Sequence, residues 1–73
     1  MKEVKRIAKV GETIKIVREY HRLGGPNPYP LGSSWIVEEV VDEDNGLVYC
    51  IGNPCGKFAD DYVVLEKHPP NLN

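Results

Sequence analysis

The 73-residue chain is 41% hydrophobic and 27% charged, with a formal net charge of -2. A chain this short buries only about 60% of the surface its unfolded form exposes, which leaves one small core and excludes a deep catalytic cleft. The composition lies well outside the disordered regime, and the slight acidity counts against nucleic-acid binding.

Residues 1–10, "MKEVKRIAKV", are charged throughout and contain no apolar run of signal-peptide length; no later segment is long and apolar enough to span a bilayer. The expected compartment is the cytoplasm, where Cys50 and Cys55 are expected as thiols. Val4, Ile7 and Ala8 have helical spacing, but Gly11 closes the segment too early for a stable helix, so it reads as an extended or one-turn lead-in. Lys2, Lys5, Arg6 and Lys9 in this arm are candidate phosphate contacts for a nucleic acid. The competing reading is mutual neutralisation. Terminal strands of small barrels pair with each other, and such pairing would bring Asp61 and Glu66 beside the bases of residues 1–22, Lys15, Arg18 and Arg22 among them.

"VGETIKIVRE" places Ile14 and Ile16 on one side and Thr13 and Lys15 on the other, the period of a half-buried first strand. "HRLGGPNPYPLGSS" then reads as a long Pro/Gly loop, with Leu23 and Tyr29 able to tuck back onto the body. "SWIVEEVV" and "GLVYCI" predict a hairpin joined by "DEDNG", in which Asn45 and Gly46 tolerate positive φ. Glu38 and Glu39, adjacent in an apolar strand, cannot both point outward under strict alternation; a β-bulge or an edge position is required. "GKF" and "YVVLE" predict two more short strands, separated by one 3₁₀ turn at "ADD", and residues 68–73 read as a patternless tail. Short strands with close turn signals predict an all-β fold, a small barrel or orthogonal sandwich of about five strands, as a single domain over residues 1–67.

The closing stretch "GKFADDYVVLE" resembles the last segment of SH3 domains. There a glycine, a strand phenylalanine or leucine, a 3₁₀ turn and a Tyr-Val pair close the barrel, which correspond to Gly56, Phe58, residues 59–61, Tyr62, Val63 and Leu65. "IVREY" resembles the opening strand motif that ends in tyrosine, and the Pro/Gly loop occupies the place of the long first loop. The chain is also similar in style to small SH3-like proteins of Gram-positive phages and prophages, which share its type of opening and ending. The resemblance implies an SH3-like barrel and a bacterial or phage setting. It does not extend to the peptide groove. Tyr20 and Tyr62 match the groove tyrosines, but the tryptophan position falls on Leu47, the proline of the 3₁₀ turn on Ala59, and "HRLGGPNPYP" carries no carboxylate.

Candidate chemistry is sparse. Cys50 and Cys55 frame "IGNP" and face each other across a loop; His21 and His68 are the only other soft ligands and are scattered, so no zinc spacing exists. Asp42, Glu43 and Asp44 read as solvated turn residues, and Asp60 and Asp61 as caps of the 3₁₀ turn. The functional expectation is a monomeric, non-enzymatic module without a cofactor, an adaptor or inhibitor that binds a protein partner through Tyr20, Tyr29, Trp35 and Tyr62. The alternative is a nucleic-acid binder that uses Lys2, Lys5, Arg6 and Lys9.

Overall fold

The computed structural model describes residues 2–18 and 29–66. It contains six strands: β1 (Lys2–Val4), β2 (Thr13–Ile16), β3 (Ser34–Asp42), β4 (Leu47–Cys50), β5 (Gly56–Lys57) and β6 (Tyr62–Glu66), with a 3₁₀ turn at Ala59–Asp61 between the last two. All pairings are antiparallel, in the order β1-β6-β2-β3-β4-β5. The all-β class is as expected, but the strand count is six, because the lead-in contributes β1. The sheet is also not closed: β1 and β5 are its two edges.

One face of the sheet carries the core. In the β2–β6 ladder Ile14 lies opposite Val64 and Ile16 opposite Tyr62, and directly opposed residues share a face, so all four side chains are buried together. Val37, Val48 and Cys50 extend that face into β3 and β4, and Ala8 and Tyr29 cover it from the lead-in and the end of the Pro/Gly loop. Tyr29 therefore does tuck back; Leu23 lies outside the described residues.

The two glutamates are accommodated by a register shift. Val37 pairs with Cys50 and Glu39 with Tyr49, leaving Glu38 as the extra residue of a bulge. A second shift between Val40 and Asp42 leaves Val41 unpaired and exposed. Two extra residues in one strand bend it strongly, which carries β3 from its pairing with β2 into the β4–β5 hairpin.

The β3–β4 turn is built by Asp42, whose carboxylate accepts hydrogen bonds from the Asp44 amide (3.0 Å), the Asn45 amide (3.3 Å) and the Asn45 side-chain amide (2.8 Å). These bonds, led by that from the Asn45 side chain, hold its carboxyl below the usual carboxylate range. Asp42 is thus a turn former and more than a solvated charge. Gly46 closes the turn at φ 68°. A Cβ there would collide with Ala59 Cβ and stand 3.2 Å from the Tyr62 hydroxyl. Gly46→Ala is therefore expected to cost about 3 kcal/mol, from left-handed strain plus overpacking, read as a lower urea midpoint at unchanged slope. A loss below about 1 kcal/mol would show that the turn relaxes freely.

Candidate functional site

Of the four aromatic residues expected as partner contacts, Tyr29 and Tyr62 lie in the interior. Tyr62 is 0% exposed and Tyr29 1% exposed, so both rings are core. Tyr20 lies outside the described residues. Trp35 is half-buried; its ring meets Tyr29 edge-on at 5.2 Å between centroids, and its indole N–H donates to Ser33 Oγ at 2.8 Å. Burial raises the pKa of both tyrosines, and each hydroxyl is engaged internally. The Tyr29 hydroxyl donates to the Cys55 carbonyl at 2.5 Å. The Tyr62 hydroxyl donates to the Gly46 carbonyl at 2.9 Å and accepts from the Ala8 amide at 3.2 Å.

The basic arm is largely occupied with the chain's own acceptors. Arg6 forks onto Glu12, with Nη1 2.9 Å from Oε1 and Nη2 2.5 Å from Oε2, while its Nε donates to Glu66 Oε2 at 2.9 Å. The Lys5 ammonium donates to the carbonyls of Ala59 and, at 2.9 Å, Tyr62. Lys15 pairs with Glu3 at 2.9 Å and Arg18 with Asp61 at 3.8 Å. Lys2 sits opposite Glu66 in the β1–β6 register, and Lys9 is exposed, its backbone amide held by Glu12. Terminal-strand pairing thus brings Glu66 to Arg6 and opposite Lys2, while Asp61 pairs with Arg18 and Lys57.

Sequence patterning missed a buried cation. Lys57 is only 5% exposed; its Nζ lies 3.3 Å from Asp61 Oδ2 and 5.9 Å from the centroid of the Tyr29 ring. Phe58, expected in the strand, instead follows the end of β5 and is exposed. The available signal was the Lys57–Asp61 spacing of four across a turn, since hydrophobicity alone places Phe58 inside. Asp61 is consequently an ion-pair partner and not a cap: the N-cap position is Phe58, and no side chain caps the turn. The ammonium, carboxylate and ring satisfy one another and leave almost no Lys57 surface for a substrate.

Exposed apolar side chains form the remaining feature. Ile36 on the outer face of β3 is 48% exposed and Ile51, in the β4–β5 turn, 57%. The Ile51 amide donates to the Ile36 carbonyl at 2.9 Å, so the two are neighbours. Ile7, Val10, Val17, Leu31, Val41 and Phe58 are also exposed.

Cys50 is buried and Cys55 half-buried, both as free thiols. Among the described residues, no group of three or more His, Cys, Asp or Glu residues could hold a metal ion, and no helix is long and apolar enough to cross a membrane. No protein-family model, curated protein or solved structure matches the chain.

Glu12 gives this region a pH signature. The hydrogen bonds from Arg6 are the main cause holding its carboxyl at about 2, against an ordinary 4.5. A depressed carboxylate stabilises the fold fully above its unfolded value, and that contribution disappears as pH falls from about 4.5 to about 2. After screening at this partly exposed site, the loss is expected to be about 1 kcal/mol. Urea unfolding across that window should show the wild type losing this increment and Glu12→Gln having a shallower acid limb; parallel limbs would contradict it.

Proposed function

We propose that the chain is a small non-enzymatic binding module, an adaptor or inhibitor that docks on another protein. The observation that carries this reading is the adjacent pair of outward aliphatic side chains, Ile36 and Ile51, held by strand pairing and presented on a folded surface. Apolar groups fixed in place lose little conformational entropy on binding, which favours their use as anchors. The aromatic face expected from sequence offers less support, because two of its rings are interior. The SH3-like reading rests on the closing "GKFADDYVVLE", with its 3₁₀ turn at Ala59–Asp61 leading directly into β6. With it goes the proposal of a bacterial or phage cytoplasm as the setting. The nucleic-acid alternative loses ground because Lys5 and Arg6 are occupied by internal acceptors.

The test is capture from a Gram-positive bacterial lysate by the immobilised full chain, with and without nuclease, run beside the double variant Ile36→Asp, Ile51→Asp. Both side chains point outward, so the variant is expected to keep its fold within about 1 kcal/mol. A protein retained equally in both nuclease arms, and at least about tenfold less by the variant, is the expected result. Retention lost on nuclease treatment, or equal retention by the variant, would overturn this assignment.

A further inference from the structure

We propose that Cys50 and Cys55 are a redox-active pair that closes a reversible disulfide across the β4–β5 turn. The argument starts from register. Val48 pairs with Lys57 and Tyr49 with Gly56, the last pair of the ladder, and continuing the same count into the turn would oppose Cys50 to Cys55. Facing residues project on the same side of a sheet. Val48, Cys50 and Lys57 are all buried on the core side, and Cys55 packs partly buried against the same cluster.

Tyr29 supplies an independent indication. Its hydroxyl donates to the Cys55 backbone carbonyl at 2.5 Å, and its ring belongs to the same buried cluster as Cys50, so one side chain packs against both strands of the turn. The turn between them is fixed rather than loose. The Asn53 amide donates to the Cys50 carbonyl at 3.1 Å, and Asn53 Oδ1 accepts from the Cys55 amide at 3.0 Å. The neighbouring pair Tyr49–Gly56 is directly opposed, a spacing of about 4.5–5.5 Å between Cα atoms, and a disulfide spans Cα separations up to about 6.8 Å.

The two thiols differ in access, which sets the order of events. Cys55, half-buried, is the thiol a small oxidant reaches; Cys50, interior, is the resolving thiol. With a low-molecular-weight disulfide RS–SR as oxidant, the Cys55 thiolate attacks one sulfur, forming a Cys55–SR mixed disulfide and releasing RS⁻. The Cys50 thiolate then attacks the Cys55 sulfur, closing the Cys50–Cys55 bond and releasing the second RS⁻. The protein thiols lose two electrons, the oxidant becomes two thiols, and the two protein protons pass to the departing thiolates. In a reducing cytosol the pair rests as thiols and closes when the thiol pool is oxidised.

The test equilibrates the full chain with glutathione buffers of graded disulfide content, native and in urea, followed by acid quenching and intact mass measurement. The expected product is the intramolecular disulfide, its oxidation equilibrium favoured natively by roughly thirtyfold over the urea-unfolded chain. Cys50→Ser should halt at the glutathione adduct on Cys55, and Cys55→Ser should be modified far more slowly. The proposal fails if the native wild type stays reduced or accumulates the mixed adduct or a dimer. It fails equally if the native and unfolded equilibria coincide.

Discussion

The hydroxyl of Tyr62 is the point on which the arrangement turns. Buried at the start of β6, it joins the lead-in through the Ala8 amide to the β3–β4 turn through the Gly46 carbonyl. Three segments far apart in sequence meet at one oxygen. Removing it would strand a buried donor and a buried acceptor, which costs more than the bonds themselves are worth. The same location explains Gly46: a side chain there would collide with Ala59 and crowd the hydroxyl.

Around that anchor, charge is organised inward. The lead-in brings Arg6 to Glu12 and Glu66, and Lys5 to the carbonyls of Ala59, which opens the 3₁₀ turn, and Tyr62, which follows it. At the other edge Lys57 is sealed between Asp61 and Tyr29. These contacts fasten β1 and β5, the two ends of an open sheet, to the body of the molecule. They also engage Lys5 and Arg6, two of the four lead-in cations named as candidate phosphate contacts.

Much of the fold was legible in sequence because strands announce themselves by period and turns by composition. Thr13–Ile16, the β3–β4 hairpin and the 3₁₀ turn at Ala59–Asp61 follow directly from such signals. Two adjacent carboxylates required either a bulge or an edge position, and the register shift at Glu38 is the first of these. The lead-in strand was not, because β1 is only three residues long and is defined by its partner β6 and not by its own pattern. The site was less legible. Tyrosine is both a core and an interface residue, and only the tertiary arrangement decides which: the β2–β6 register places Tyr62 inside, and the end of the Pro/Gly loop folds Tyr29 onto the core. Lys57 was missed for the opposite reason, since a lysine is assigned to the surface until a carboxylate and a ring are found around it. The pairing of Ile36 with Ile51 depends on a contact between a strand and a turn, which no local pattern encodes.

The most direct test of this account is Tyr62→Phe, which removes one oxygen and preserves the ring. Urea unfolding is expected to show a loss of about 1–3 kcal/mol, with amide exchange at Ala8 accelerated while the amides of the β2–β3 ladder keep their relative protection. Unchanged stability together with unchanged exchange at Ala8 would contradict the claim that this hydroxyl ties the lead-in to the sheet.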